Sequence, residues 1–593
     1  VIFRLDVAEE QRLNLVSLSA SQLADEQFTE GSSSLLQATR DVFLNKAAFE
    51  FSQAFFKVRG YASSQARVLL QGIAMNKLYN DAPQWNNWGG LNDVTRNQEF
   101  TRGLQANDFE FGGLLGVTNI NLDPSTFRSG LRVSSSLTNR TYRNRFMVTY
   151  TGAALNGNLS YSVSGSTRWA KEGYTKGTVY DSFSLFGAVS YGLSERHKIQ
   201  ATVMIADNRR GKSAAITDEV YSLTGAGYNP YWGLQNERIR NSRERHIREP
   251  LFIMSHSYQG EQLSSNLSLA YQTGFLKQSR LGYANAPNPD PTYYRYLPSF
   301  YINSPIGANF DNASLARDAF LTQPQIDWDK LYSVNKNQEN AAYYLYNDVS
   351  NDKLYSLGWR MKYKPNANVK FNWGLQAKQL QSSNYAEIKD LLGANTLLDE
   401  DPFSNTLNAI ERNPLRVLGD RFQYDYSIKT QDVEAFFQTE YQTNKWSVFF
   451  AVAQGKRKHQ RVGQVTNERF LTSSKGESDA LSFSSFSVKM GGEYKLSARH
   501  WLQLHLAKKE APPAIQHMFV NPRENNQYVN QSVLGMATAA SLTYHMRLPK
   551  LTTRFSIYGT DFLNGTDVNY FFVDAGIGSD FVQEVVTNIA TRH

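Results

Sequence analysis

The sequence predicts an all-β transmembrane antiparallel barrel, preceded by a small α+β unit. Three observations predict it. From about residue 128 onward, strand-length segments alternate apolar and polar residues with period two. The links between those segments take turns, short then long, as a meander with tight turns at one rim and large loops at the other requires. No stretch of the 593 residues approaches the roughly 18 continuous apolar residues of a transmembrane helix, so a membrane crossing falls to strands, whose hydropathy signal is weaker.

The alternation repeats strand by strand. "NLSYSVSGS" (158–166) sets Leu159, Tyr161 and Val163 against Ser160, Ser162 and Ser164. "SNLSLAY" sets Leu267, Leu269 and Tyr271 against Ser268 and Ala270. "VEAFFQTEY" places Val433, Ala435, Phe437 and Tyr441 opposite Glu434, Gln438 and Glu440, and "WLQLHLA" places Leu502, Leu504 and Leu506 opposite Gln503 and His505. A sandwich would alternate too, so the links decide. Short ones fall at 155–158, 193–196, 260–262, 365–368, 442–445, 496–499 and 547–550, and long ones at about 209–249, 281–338, 384–420, 460–477, 508–530 and 564–580. A soluble sandwich has no reason to segregate its loops this way. Trp169, Tyr191, Tyr271, Trp446 and Trp501 gather near strand ends, where interfacial girdles place aromatics.

Composition narrows the function classes. Hydrophobic residues make up 41% and mean hydropathy is −0.48, a soluble-looking average, while Tyr and Phe reach 33 and 35. There is no cysteine, which excludes disulfides and thiolate metal sites. The net charge of +8 comes from 62 basic and 54 acidic residues that are interspersed, so no basic tail or stripe points to nucleic acid. The opening "VIFRLDVAEE" has no initiator Met, basic n-region or apolar h-region, and reads as a start inside a longer or processed precursor.

Ahead of the barrel, residues 31–124 mix the helix-like "SSLLQATRDVFLNKAAF" with short strands and glycine turns. Two apolar-alternating runs, Phe56–Gly60 and Ala66–Ala74, flank a polar hinge. "FKVRGY", "VLLQGIAMN" and "EFTRGLQANDFEFGGLLGVTNI" (99–120) follow in that order. This triplet resembles the successive plug motifs of TonB-dependent outer-membrane transporters. The resemblance extends to the barrel strands and so to nearly the whole chain. It departs twice: Gln71 stands where the family has Asp before Gly72, and the family's "RGP" reads Arg102-Gly103-Leu104. It implies a linker at 1–30, a plug at 31–124 folded inside the lumen, and a barrel at 125–593. It also implies a total of 22 strands, of which about sixteen are legible here. Independently of the family, Gly60, Gly72, Gly112, Gly113 and Gly116 end alternating runs, where positive φ or close backbone approach is needed.

Catalytic signatures fail. "ADNRRGKS" lacks the first glycine of a phosphate loop and ends a barrel strand, and no "GxSxG" or "HExxH" occurs. His500 and His505 differ by an odd number along one strand and face opposite ways, and "NDVSND" (347–352) reads as a solvated polar strand end. No enzyme activity and no cofactor or metal is expected. Candidate ligand contacts are the loop aromatics Tyr293, Tyr294, Tyr296, Phe300 and Tyr301, stiffened by prolines. Arg238, Arg240, Arg243, Arg245 and Arg248 of "NERIRNSRERHIRE" suit lipopolysaccharide phosphates or an anionic ligand. The resemblance makes the segment 79–90 an apex facing outward, with Trp85, Asn86, Asn87 and Trp88 as substrate floor.

The function so implied is active import across a Gram-negative outer membrane, driven by TonB through a box upstream of Val1. Membrane lipid, lipopolysaccharide, a transported ligand and a surface lipoprotein are the implied partners. The alternative is a plugged barrel serving as adhesin or secretion scaffold. Three structural expectations accompany it. The apex lies on the long-loop side. The family-motif arginines Arg59 and Arg102 pair with Glu434, Glu440 or Glu493 on the inner wall, because an unpaired buried guanidinium is costly. The ring is open: sixteen strands give a backbone diameter of roughly 32 Å. About 10 Å of inward side chains leaves a lumen near 22 Å, too narrow for a plug of about 95 residues and roughly 32 Å across. Twenty-two strands would accommodate it, so Arg128–Arg140 should lack a closing partner.

Overall fold

The computed structural model describes residues 58–138, 142–154, 158–401, 404–530, 533–574 and 579–593, together with Leu15–Ser17. The helix-like segment 33–49 and most of the 1–30 linker lie outside the described residues.

Strand segments from Gly130 to Arg592 form a closed antiparallel barrel. Glu244–Arg248 and Leu251–Gln259 both pair with His197–Gly211, so they are one strand interrupted at Pro250. Gly476–Glu477 and Leu481–Ser497 both pair with Trp446–Gly463 and form another. Counting each as one gives sixteen strands. The serines of Leu159–Ala170 face inward and are buried, with Ser162 and Ser164 bonded to Thr151 at 2.8 Å and Thr149 at 2.7 Å, whereas Val163 stands outward. The same inversion holds for Leu269, Phe437, Phe450, Leu504 and Leu542, all exposed. Apolar out and polar in is the pattern of a wall bathed in lipid.

The short and long links sit as expected, with two corrections. Strands run on into the long-loop rim, reaching Asp390 and Gly463. The stretch 564–580 is not a long loop, because Thr552–Asp574 and Ser579–Arg592 pair as a hairpin through most of it. Helices α1 (Asp218–Thr224), α2 (Pro298–Ile302), α3 (Phe310–Thr322) and α4 (Trp328–Lys336) belong to the long links.

Within the ring lies a five-stranded sheet: β1 (Leu15–Ser17), β2 (Ala66–Leu70), β3 (Ile73–Ala74), β4 (Asn97–Arg102) and β5 (Gly116–Ile120), ordered β1-β4-β5-β2-β3. β1 falls in the stretch expected as linker. β2 and β3 form a hairpin whose turn residues Gln71 and Gly72 both have positive φ, 49° and 82°, the signature of a type I′ turn. The expected run Phe56–Gly60 is not a strand where it is described: Val58–Gly60 is a 3₁₀ turn with Arg59 at φ 54°.

The expected open edge is overturned. Ser579–Arg592 neighbours Gly130–Leu137 and closes the ring around the plug. Where Ser184 and Gly358 face the plug, the wall needs less room than a full layer of side chains. Ser184 donates to the Gly89 carbonyl at 2.7 Å, and a Cβ on Gly358 would lie 2.5 Å from the Gly72 carbonyl. At Gly358 plug backbone therefore lies directly against barrel backbone.

Candidate ligand vestibule and the plug–wall interface

The plug apex faces the long-loop rim. Backbone N–H groups of Ile515 and Gln516, in the 512–534 loop, donate to the carbonyls of Leu78 and Tyr79, both at 3.1 Å. Trp85, Asn86, Asn87 and Trp88 form a 3₁₀ turn, but it is buried. Trp85 and Trp88, with ring centroids 5.5 Å apart, pack with Val68, Leu70, Ile73, Leu91 and Ile120 against Phe186, Met204, Leu251 and Ile253 of the wall. Asn87 donates to Glu249 at 2.7 Å. The turn thus welds plug to wall, and Tyr79, 56% exposed, is the apex aromatic that stands free.

The loop aromatics form an edge-to-face chain: Tyr293 to Tyr294 and Tyr296, Tyr294 to Phe300, and Phe300 to Tyr301. Tyr294 and Phe300 line an open recess of about 320 Å³. Among the described residues no hydrogen bond or ring contact joins this set to Trp85–Trp88.

Between loops and apex lies a cluster that the sequence scattered. Arg245 reaches Gln84 of the apex at 3.1 Å, Lys212 bonds Gln278 at 2.8 Å, and Arg243 lies 5.4 Å over Tyr231. Arg280 pairs with Asp348, which also accepts from Tyr424 at 2.7 Å and lies 3.4 Å from Arg523. Arg523 stacks 4.7 Å over Tyr424. "NDVSND" is thus no solvated strand end: Asp348 anchors this cluster, and Asp352 meets Lys77 of the plug at 3.1 Å. Burial, with Arg245, Arg210, Arg280 and Arg243 close by, pushes the Lys212 ammonium down to about 8. Burial and Arg280 likewise lower the Arg243 guanidinium. Arg280 and Arg523 differ, because Asp348 compensates them. Arg240 instead stacks 4.5 Å over Trp328 and pairs with Asp390, and Arg248 lies 3.9 Å from Asp207.

The expected arginine–glutamate pairs do not form. Arg59 stacks 4.3 Å over Tyr558, and Arg102 lies 5.9 Å over Phe100. Glu440 pairs with Lys370 at 2.7 Å, and Glu493 accepts from Gln503 at 2.8 Å. Glu434 faces Arg67, whose guanidinium bonds Glu110 at 2.9 Å. The strand register placed the glutamates correctly on the inner face, but the motif arginines leave the plug at a different wall. Other pairs join the two bodies: Lys77 with Glu249, Asp81 with Arg457 at 3.1 Å, and Asp108 with Lys370 at 2.7 Å and Lys362 at 3.1 Å. Burial raises the Asp108 carboxyl, but the two lysines outweigh it and hold the group far below its ordinary value. The acidic letters of "YNDAPQ" and "ANDFE" were the available signal.

Gln71 explains its own departure from the motif. Its amide spans the interface, donating to Gln200 at 2.9 Å and accepting from the Leu122 N–H at 3.0 Å.

No family model and no curated protein matches the chain, but solved structures do. The copper transporter OprC aligns over 90% of this chain and 68% of its own at 13% identity, with a TM-score of 0.58. The chain has the plugged-barrel fold of TonB-dependent outer-membrane receptors. The ferric-catecholate import receptor Fiu of E. coli K12 in its closed form (TM-score 0.54, 11% identity, 90% of this chain, 70% of that one) shares this fold. So does the siderophore receptor PiuA of Acinetobacter baumannii (0.52, 10%, 90% and 73%).

Proposed function

We propose that this plugged barrel imports a small anionic ligand across the outer membrane, with energy delivered through TonB. The observation that supports it most is a closed, lipid-facing barrel whose lumen is filled by a separately folded sheet, with a cationic, tyrosine-rich vestibule between that sheet and the large loops. A blocked lumen is useless to a passive pore and suits a gated importer. The vestibule cations Lys212, Arg243 and Arg245 would hold the ligand's negative charge, and Tyr79 and the loop aromatics Tyr294 and Phe300 its rings. Ferric–catecholate and ferric–citrate chelates, both anionic, are the first ligands to offer, since structural neighbours carry those names. Cells expressing the chain should accumulate one of these labelled chelates, and accumulation should stop when TonB is deleted. Uptake indifferent to TonB, or no binding of any anionic chelate to the purified protein, would overturn the proposal.

A further inference from the structure

The short-turn rim carries charge that the vestibule at the opposite rim does not account for. Four consecutive short links of the ring, 365–368, 442–445, 496–499 and 547–550, contain no carboxylate. Lys364, Lys445, Arg499, Arg547 and Lys550, in or beside them, are exposed, and among the described residues none of these makes an ion pair. An arc of uncompensated cations raises the local concentration of anions.

Inside this arc lies a cavity of about 530 Å³. Plug residues 99–101 and 105–109 form one side, and the strands Leu263–Tyr283, Tyr343–Tyr363, Val369–Asp390 and Arg421–Gln442 form most of the other. The lining holds as many acids as bases, but every acid is engaged. Asp108 is held by Lys362 and Lys370, and Glu440 by Lys370 at 2.7 Å. Glu99 accepts from the Asn119 amide at 3.1 Å and Glu493 from Gln503 at 2.8 Å.

Two of the bases are not engaged. The Arg360 guanidinium lies 4.5 Å over the ring of Phe109, which packs on the plug residues Leu69, Ala74 and Val117. Among the described residues its N–H groups donate to no partner, and the Lys364 ammonium and the Ser264 hydroxyl of the same lining make no hydrogen bond. Ser264 stands on the strand next to that of Arg360, opposite Lys362. A guanidinium held against an aromatic ring presents a fixed fork of donors, which matches a planar carboxylate or a phosphate and loses little freedom on binding it.

We propose that this cavity binds an oxyanion, a carboxylate or phosphate group presented from the short-turn side, with Arg360 as the fork, Lys364 as a second cation and Ser264 as a further donor. The site is at the rim opposite the vestibule and does not depend on the import reading. Because plug and wall both line it, a bound anion contacts both and favours the docked plug by mass action. Its occupant therefore regulates how firmly the plug is held.

Hydrogen-exchange mass spectrometry of residues 99–109 in the purified full chain tests this. Inorganic phosphate or succinate is added to the detergent-solubilised protein, and nanodiscs of phosphatidylglycerol are compared with nanodiscs of phosphatidylcholine. The anion should slow exchange about threefold or more in the unaltered chain and in the vestibule variant Arg245→Gln, but not in Arg360→Gln. Lys364→Gln, at an exposed position, and Ser264→Ala should each raise the concentration giving half-protection by about threefold. These two variants keep the test decisive if Arg360→Gln does not fold. Slowing by the soluble anions identifies a free oxyanion as the occupant, and slowing by phosphatidylglycerol alone identifies a lipid headgroup. No slowing by phosphate, succinate or phosphatidylglycerol, or the same slowing in Arg360→Gln as in the unaltered chain, would overturn the assignment, as would half-protection unmoved in both Lys364→Gln and Ser264→Ala.

Discussion

Glu249 ties the apex to the wall through two plug residues, and its removal has a calculable effect. Its side chain is 2% exposed, and it takes Lys77 as an ion pair and Asn87 as a donor at 2.7 Å. Burial alone would lower the Lys77 ammonium, but Glu249 and Asp352 more than reverse that and raise it. Glu249→Leu leaves Lys77 with Asp352 alone and orphans the Asn87 amide. Breaking a buried pair from one side costs about 3–5 kcal/mol, and the surviving Asp352 contact at 3.1 Å brings the expected loss to about 2–3 kcal/mol. With a urea dependence of ~1 kcal/mol/M for a unit of this size, plug release should move down by about 2–3 M urea. Hydrogen-exchange mass spectrometry of residues 66–94 in the purified protein measures that release, with the barrel strands as internal reference. Lys77→Met combined with Glu249→Leu should recover part of the loss, because an apolar replacement removes two desolvated charges together while Asp352 and Asn87 lose these partners. A single-variant shift under about 0.5 M, or a double variant worse than the single, would refute this account of the apex.

Further outcomes follow from the same contacts. Phe111→Ala, removing the plug's contact with Phe436, Ala451 and Ala453, should cost about 3 kcal/mol of plug docking and leave barrel thermal unfolding unchanged in calorimetry. Gly72→Ala, at φ 82° with Asn266 3.3 Å from the new Cβ, should cost about 1–2 kcal/mol, read as faster exchange across the β2–β3 hairpin. Val163→Arg, on the lipid face at mid-strand, should lower folding stability into bilayers by about 2–4 kcal/mol, measured by urea titration in vesicles. Chelate affinity should fall as pH rises through about 8, where Lys212 loses its proton, and Lys212→Met should flatten that profile in equilibrium binding. Asp108 acts the other way. Its depressed value means its contribution is complete above the unfolded carboxylate pKa of ~3.9 and lost only as pH falls through the still lower folded value, so Asp108→Asn should lower plug stability by the same amount at pH 5 and at pH 8 in urea titration.

The sequence alone determined the barrel, because period two is a local property. Each strand such as Leu159–Ala170 carries its own inward serines and outward Val163, and no distant residue has to be known to read them. Link lengths fixed which rim holds the large loops, and the register of Phe437 and Tyr441 put Glu434 and Glu440 on the inner wall. The glycine-marked turn at Gln71-Gly72 was legible for the same reason, since positive φ is a demand on the residue itself. What only the tertiary structure decided is which groups meet across the lumen. Glu249 reaches Lys77 and Asn87 over a separation of more than 160 positions, and Arg457 reaches Asp81 over more than 370, and neither distance leaves any periodic trace. Arg59 and Arg102 carried a motif but not their surroundings, so pairing them with the nearest plausible glutamates failed. The lumen width failed similarly, because an average side-chain layer was assumed where serines and glycines let backbone touch backbone. Trp85 and Trp88 read as an exposed floor by their place in the chain, and their burial depended on Phe186, Met204 and Leu251 closing over them from the wall.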